Sequence, residues 1–220
     1  MKQKEKIVAF ISIEFGLVIL CTLPLFLLHA EPTSPLMLLT SIIFMFLPAL
    51  TTLIVKRLTH DKGGLFLQLN IRKAWKQYLL AAFIPGVLEV IGVMLYFFIF
   101  PSHFDLSLTY AAQLLALNGQ TVELPQLSLP LVIGIGMLLI LAAPLVIVNH
   151  AAAFGEEIGW RGFLLPLLMD ELGVRKAVLL NGVLWGIAHA PLVCFGLNYT
   201  GDYPGAPWTG ILMMVLFATS

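Results

Sequence analysis

Residues 7–28 read IVAFISIEFGLVILCTLPLFLL, an apolar run of 22 residues with a single charged side chain, Glu14. A helix crosses the hydrocarbon core of a bilayer with about 20 mostly apolar residues, so this run is long enough to span. It is also longer than the apolar core of a secretory signal peptide, and no small-x-small cleavage site closes it. The run therefore predicts a first membrane helix that is retained in the protein.

The same kind of run recurs along the chain. Four further stretches are long and apolar enough to span: Leu36–Val55, Tyr78–Phe100, Leu131–Val148 and Ala177–Leu197. Another begins near Trp208, and the sequence ends inside it, so we expect a truncated sixth span. The pattern predicts an all-α fold, a multi-pass transmembrane helical bundle of five full spans plus a truncated sixth, in a single membrane domain over residues 1–220.

The composition supports this class. Of 220 residues, 60% are hydrophobic and 11% charged, with a mean hydropathy of +0.97, whereas soluble domains carry about 25% charged residues. The net charge of zero gives no sign of a nucleic-acid partner, and the lipid bilayer is the expected one. Cys21 and Cys194 both lie inside apolar runs, where cysteine commonly behaves as a small hydrophobe rather than as a disulfide or zinc ligand.

The basic residues indicate the orientation. All twelve Lys and Arg residues fall in three groups, at positions 2–6, 56–76 and 161–176. With five full spans these groups share one side of the membrane, and the alternate loops contain neither residue type: 29–35, 101–129 and 198–207. Because Lys and Arg are enriched in cytoplasmic loops, we expect a cytoplasmic (plasma) membrane protein whose N-terminus is in the cytoplasm.

Two connecting segments mix apolar and polar residues. Gly64–Gln77 is apolar and basic and is expected to lie along the inner interface. Leu106–Leu117 is expected on the outer face or in a re-entrant turn.

The segment Leu131–Met169 is too long for one straight span at about 1.5 Å of rise per residue. We expect it to kink or break at Pro144 or Gly155, and its second part to end near Pro166.

The stretch FGEEIGWRGF, residues 154–163, places three charges in this segment. Ionisable residues at membrane depth are candidates for a functional site. Glu157 and Arg161 are four residues apart and share a helix face, so they are expected to pair, whereas Glu156 lies about 100° around the helix. One carboxylate is then an anchor and the other is available as a base. The alternative is an interfacial charge cluster at a helix end, with no catalytic role.

A second polar stripe lies on the next span. Asn181, Trp185 and His189 recur every four residues, and Pro191 predicts a local break just after the histidine. A lone histidine in an apolar helix is more often a core residue. A histidine on the helix beside a glutamate pair is a better candidate for acid–base chemistry.

Other ionisable residues are weaker candidates. Glu14 and Glu89 each lie within a span, where they either line a functional cavity or satisfy a helix contact. His150 is six residues before Glu156 and is expected on a different helix face, so we do not count it as a partner of that glutamate.

Two motifs carry a family resemblance. EEIGWR (Glu156–Arg161) has the form EExxxR, and WGIAH (Trp185–His189) has the form of a second motif written FxxxH. About thirty residues apart in a multi-spanning chain, they resemble the CAAX-processing and bacteriocin-processing family (CPBP, also Abi) of intramembrane endopeptidases. The resemblance covers roughly residues 130–220, a motif-bearing core, and the first three spans match only in general character.

The resemblance implies hydrolysis of a peptide bond within the membrane. Glu156 would activate the attacking water, Arg161 would pair with Glu157 or a neighbour, and His189 would position the water or polarise the scissile carbonyl. A divalent metal such as zinc, held by Glu156 and His189, and a metal-free water activated by glutamate are equally compatible with it. The implied substrate is a peptide or a protein C-terminus, either prenylated or leader-bearing.

The chain departs from the family pattern at two places. Trp185 stands at the aromatic position usually held by Phe, and a later HxxxN or HxxxD motif has no match, since no histidine follows His189. We therefore expect a site that is cut short at the C-terminus. Two other functions stay open: a non-catalytic membrane immunity or binding protein on the same scaffold, and a transporter with a proton relay through Glu14, Glu89 and Glu156.

Overall fold

The structure, a computed structural model, describes residues 3–65, 70–109, 112, 126–142, 147–199 and 203–219, with the backbone alone at 141, 142 and 147–150. Within these ranges every extended regular element is helical, which confirms the all-α class. The chain divides into two compact units, one made of residues 1–68 with 148–220 and the other of residues 69–147.

Nine α-helices follow one another along the described residues: α1 (Gln3–Leu27), α2 (Pro35–Leu58), α3 (Ile71–Ile99), α4 (Leu129–Ala142), α5 (Ile147–Gly159), α6 (Leu165–Leu172), α7 (Val174–Ala188), α8 (Ala190–Cys194) and α9 (Trp208–Thr219). A short 3₁₀ turn, Pro101–His103, follows α3, and a π-helical turn, Trp160–Leu164, joins α5 to α6.

Three helices are long and apolar enough to cross a membrane. They are α1, α2 and α3, with 25, 24 and 29 residues, and they coincide with the first three predicted spans. The fourth predicted span contains most of α4, which begins two residues earlier at Leu129, while residues 143–146, including Pro144, lie outside the described residues. Membrane-spanning helices of this kind confirm a multi-pass helical membrane protein.

The fifth predicted span is divided rather than continuous. The helix α7 ends at Ala188, the chain turns at His189, and α8 begins at Ala190. Pro191 lies in the first turn of α8, where its missing N–H is not needed. Inside a continuous helix the same proline would remove one hydrogen bond and clash with the preceding turn. The local break after the histidine is therefore present, and it separates two helices.

Of the two break points expected in Leu131–Met169, only Gly155 lies in the described residues. It lies inside α5 without a break, while a break at Pro144 falls outside the described residues and stays a prediction. Among the described residues of this segment, a π turn at Trp160–Leu164 ends two residues before Pro166, and Pro166 lies in the first turn of α6 instead of ending a helix. A wider turn ahead of the proline accommodates a residue that cannot donate to the carbonyl four residues earlier.

The two mixed connecting segments are only partly described. Residues 66–69 of Gly64–Gln77 lie outside the described part, and Ile71–Gln77 form the start of α3, which is kinked at Ala74. Most of Leu106–Leu117 also lies outside the described residues.

In the first unit, α1 runs antiparallel to the segment that follows α5. Near its start, Lys4 pairs with Glu171 at 3.8 Å. Further along, the Phe10 ring lies 5.7 Å from the rings of both Trp160 and Phe163. Residues further along α1 thus contact residues earlier in the other segment. This register places Glu14 on the side of Glu156.

The helix α2 contacts α5 backbone to backbone. A Cβ added at Gly155 would lie 2.8 Å from the Met45 carbonyl oxygen, and one added at Gly159 would lie 2.6 Å from the Pro48 carbonyl oxygen. Because the two glycines are four residues apart, they share one face of α5, and only residues without a side chain permit this approach.

The helix α7 approaches α9 in a similar way. A Cβ added at Gly186 would lie 2.6 Å from the Val215 Cα atom, and one added at Gly182 would lie 2.8 Å from the Ala218 carbonyl carbon. This contact brings the buried Met214 of α9 beside the helix that ends just before His189.

Replacing Gly159 by alanine tests the α2–α5 contact. We expect Gly159→Ala to lower the free energy of unfolding by about 1–3 kcal/mol, since the added methyl overlaps the backbone of α2. Thermal unfolding in detergent, followed by circular dichroism, measures the change. Gly16→Ala is the matched control, because nothing lies within 4 Å of its added Cβ; equal melting temperatures for the two variants would contradict the contact.

An ion pair connects the start of α1 to the residues after α2. The Lys6 ammonium donates to Asp61 Oδ2 at 2.9 Å, and the Gly63 backbone N–H donates to Asp61 Oδ1 at 2.8 Å. These hydrogen bonds hold the pKa of Asp61 below its ordinary value of 3.8. A carboxylate with a lowered pKa stabilises the fold above its unfolded pKa, and that stability is lost as the pH falls through the folded pKa.

Removing this charge tests the ion pair. We expect Asp61→Asn to lower the free energy of unfolding at pH 7 by about 1.5–3 kcal/mol, the range for hydrogen bonds to charged groups. The difference from wild type should shrink below about pH 4, where the native carboxylate becomes protonated as well. Melting curves across pH 3–7 measure it, and a difference independent of pH would contradict the assignment.

Candidate active site

The residues of the two motifs meet in the first unit. His189 Nε2 lies 3.5 Å from Glu156 Oε1, although the two residues are on different helical segments. Both are buried, with exposed fractions of 7% and 9%. A carboxylate and an imidazole shielded together from solvent interact more strongly than they would in water. The geometry thus brings together the two motif residues for which acid–base chemistry is predicted.

The backbone sets the proton arrangement of His189. Its Nδ1 atom lies 2.8 Å from the Trp185 carbonyl oxygen. Because a carbonyl oxygen only accepts, Nδ1 carries a hydrogen and donates it. The Nε2 atom is then the one that faces Glu156, and it either accepts a proton or, in the imidazolium form, donates one.

Aromatic rings fix the plane of the imidazole. The Trp185 ring centroid lies 4.0 Å from that of His189, and the Phe44 ring contacts it edge-on at 4.9 Å. Phe44 comes from α2, so three helical segments, α2, α7 and α8, surround the histidine. A ring held in this way loses little further freedom when it engages a substrate.

A cavity of about 290 Å³ opens beside the pair. Its wall combines the two ionisable groups with a few polar and many apolar side chains: Ser41, Phe44, Met45, Glu156, Trp185, His189, Leu192, Leu197, Asn198 and Met214. Ligand sites are typically concave and mostly apolar, with a few polar groups that fix orientation. The wall has this character.

Glu157 and Arg161 form the pair that their spacing predicts. Arg161 Nη1 lies 3.1 Å from Glu157 Oε1, and the side chains are 40% and 51% exposed for Arg161 and Glu157 respectively. The guanidinium also lies over the Trp185 ring, 5.8 Å from its centroid. The pair is therefore outside the cavity wall, and it contacts the site through the indole that packs on His189.

Glu14 is buried next to this region. Phe10 faces Trp160, and one turn further along the antiparallel helices Glu14 and Glu156 come near enough to interact electrostatically. Glu14 is 1% exposed, and the Thr51 hydroxyl donates to its Oε2 at 2.5 Å. It does not contribute to the cavity wall formed by the described residues, so of the two roles predicted for it, a buried helix contact is the one present.

Glu89, the other glutamate expected within a span, has an exposed side chain on α3.

A divalent metal held by Glu156 and His189 was one of the two expectations for this site, and it requires enough ligating side chains. Among the described residues, no group of three His, Cys, Asp or Glu side chains could hold a metal ion, and the His150 side chain is not described. Catalytic zinc takes three protein ligands and an open position. Glu156 and His189 supply two donors, so on the described residues alone they do not make up a zinc site.

The structure adds cavity residues that the sequence did not single out. Phe44 and Met45 on α2 face the cavity, and Asn198 closes it from the segment after α8. An apolar span offers no mark that distinguishes these positions from lipid-facing ones. The only sequence signal for Asn198 is a polar residue in a loop.

These features define a class of protein, a multi-pass helical membrane protein with a buried glutamate–histidine pair. A protein-family model described as "Type II CAAX prenyl endopeptidase Rce1-like" matches residues 128–220. CAAX prenyl protease 2 of Methanococcus maripaludis is 30% identical over 69 residues, which are 31% of this chain and 26% of that protein. The chain thus covers about a quarter of the length of this relative.

The C-terminal segment, residues 128–220, is therefore similar to type II CAAX prenyl endopeptidases. The match contains both motifs, EExxxR and the WxxxH form of FxxxH. No solved structure matches the chain.

Asn181 provides a stability test of the polar stripe. Its Oδ1 atom is buried and has no hydrogen-bond partner among the described residues, and a buried acceptor without a partner costs about 1–3 kcal/mol. We therefore expect Asn181→Leu to keep or raise the melting temperature, while Asn181→Asp lowers it by burying a charge. A large loss of stability in Asn181→Leu would instead reveal a partner for the amide, such as an internal water.

Proposed function

We propose that this protein is an intramembrane endopeptidase in which Glu156 activates the water that attacks the scissile peptide bond. The observation that carries the proposal is the buried Glu156–His189 pair beside a cavity, within a segment that matches a prenyl endopeptidase family. A general base has to lie within hydrogen-bond reach of the proton it removes, and a cavity at the carboxylate gives water and substrate that access.

In the first step, a water bound between Glu156 and the substrate carbonyl gives one proton to the Glu156 carboxylate. The water oxygen forms a bond to the carbonyl carbon, and the carbonyl oxygen takes up the negative charge. His189 Nε2 faces the same carboxylate and orients the water, or shares the proton that Glu156 receives. The Nδ1 hydrogen bond to the Trp185 carbonyl keeps Nε2 aimed at the glutamate.

In the second step, the tetrahedral intermediate collapses. The carbonyl re-forms, the C–N bond breaks, and the proton held by Glu156 passes to the leaving nitrogen. The products are a carboxylic acid and an amine, and Glu156 returns to its ionised form. One residue thus serves as base and then as acid, as general acid–base catalysis requires.

Arg161 acts as a positioning residue in this proposal. Its guanidinium pairs with Glu157 and lies over the Trp185 ring, and that ring in turn packs on His189. Because both ion-pair partners are substantially exposed, the pair itself contributes little stability. Its proposed contribution is to hold the indole that fixes the imidazole.

The cavity indicates the form of the substrate. Its volume of about 290 Å³ and its apolar wall suit a short extended peptide stretch rather than a folded domain. We propose a peptide or protein C-terminus presented at the membrane, either prenylated or leader-bearing. The prenylated form is the one suggested by the family description and by the name of the Methanococcus relative.

Cleavage in liposomes tests the proposed function. We expect Glu156→Gln to lower kcat at least 10³-fold, since the amide keeps the shape of the glutamate but accepts no proton. The readout is cleavage of prenylated and leader-bearing peptides by the full chain, followed by mass spectrometry, and His189→Ala should also reduce kcat strongly.

Glu157→Gln is the matched control, because it makes the same chemical change one residue away, outside the cavity wall. We expect it to lose less than tenfold. Undiminished cleavage by Glu156→Gln would overturn the mechanism. A folded wild-type chain that binds such peptides without cleaving them would support a non-catalytic binding or immunity protein.

A further inference from the structure

We propose that the cavity is reached from the membrane face opposite the basic residues of the first unit, here called the outer face, and that the substrate is a peptide presented there. This inference rests on the proposed function and deepens it, because it assigns the side from which the site is supplied. Of the two substrate forms proposed above, it favours the leader-bearing peptide, since a C-terminus that is prenylated by cytoplasmic enzymes stays on the cytoplasmic side.

Apart from Arg161, the described basic residues of the first unit lie at one end, the basic end: residues 3–6, 56–62 and 170–176. Lys4 pairs with Glu171 at 3.8 Å, and Lys6 pairs with Asp61 at 2.9 Å, so these three stretches lie together. Residues 7–55 and 177–220 contain neither Lys nor Arg. Because Lys and Arg are enriched on the cytoplasmic side of membrane proteins, the basic end is assigned to the cytoplasm.

The Glu156–His189 pair lies closer to the outer face than to the basic end. Phe44, whose ring contacts that of His189 at 4.9 Å, is nine residues after the start of α2 and 14 residues before its end. At 1.5 Å of rise per residue, these separations are about 14 Å from the outer end and about 21 Å from the basic end. On α7, His189 follows a helix of 15 residues that begins at the basic end, which is about 22 Å long.

The space between the pair and the basic end is filled by packed side chains. The Phe10 ring lies 5.7 Å from the rings of both Trp160 and Phe163, and Leu164 and Leu168 continue this layer toward the basic end. None of these five side chains is more than 5% exposed. Packed interiors leave few voids larger than a water molecule, so a peptide has no route through this layer.

The cavity wall extends in the other direction. Ser41 lies six residues after the start of α2, less than two helical turns from its outer end. Leu197 and Asn198, also in the wall, follow Phe195, whose ring lies 4.4 Å from that of Phe26, the second-last residue of α1. The wall therefore runs from the pair toward the outer ends of α1 and α2, which is the direction from which a substrate reaches Glu156.

Single cysteines measure the side of access. Cys21→Ala and Cys194→Ala remove the two native thiols. In this background Ser41→Cys places a thiol in the cavity wall, while Glu31→Cys and Lys62→Cys are exposed controls at the outer end and the basic end. Right-side-out and inverted membrane vesicles from expressing bacteria are treated with a membrane-impermeant maleimide. We expect the first and second thiols to react at least tenfold faster in right-side-out vesicles, and the third in inverted ones.

Melting temperatures measured in parallel establish that the cysteine variants are folded. Reaction of Ser41→Cys from the side of Lys62→Cys, from both sides or from neither overturns the inference, even if the protein cleaves peptides. Reaction of Glu31→Cys and Lys62→Cys from the same side overturns it as well. Labelling requires no turnover, so the expected labelling without any cleavage supports the side of access and overturns only the proposed function.

The substrate class is tested in the same vesicles with a charged, leader-bearing peptide that does not cross the membrane. We expect the peptide, added outside, to be cleaved at least tenfold faster by right-side-out than by inverted vesicles, and detergent to remove the difference. Vesicles with Glu156→Gln give the background rate. Equal rates before detergent, or faster cleavage by inverted vesicles, would contradict supply from the outer face.

Discussion

The backbone contact between α2 and α5 is the constraint on which the rest of the site depends. Gly155 and Gly159 let α5 lie directly against the carbonyls of Met45 and Pro48, and Glu156 directly follows Gly155 on the adjoining face. Because α5 lies so close to α2, the Glu156 side chain can adopt few orientations. The tight packing therefore turns Glu156 into the cavity wall, where His189 can reach it.

Part of this arrangement could be predicted from the sequence. The long apolar runs of α1 to α3 follow from the thickness of a bilayer, and the Glu157–Arg161 pair follows from the helical repeat, because both are local properties. The recurrence of Asn181, Trp185 and His189 every four residues likewise singled out the histidine that faces Glu156. The spacing of residues within one helix, however, does not tell which other helix that helix packs against.

The remaining features depend on packing between distant segments. The closure of the cavity by Phe44 and Met45, and the approach of Glu14 to Glu156, require the antiparallel register of α1 and the depth at which α2 meets α5. The π turn at Trp160–Leu164 is equally invisible in the sequence, since none of its five residues has an exclusive preference for that geometry. The break at His189 was foreseeable only because Pro191 follows it.

The π turn restricts how this region can vary. It contains one more residue per turn than an α-helix, so everything after it is rotated by about 100° relative to a regular continuation. Trp160 and Phe163, three residues apart, both lie in this wider turn, and both of their rings contact the ring of Phe10. A chain lacking one residue here would form a smoother helix and aim α6 away from α1. In this segment, length is expected to be more strictly maintained than residue identity.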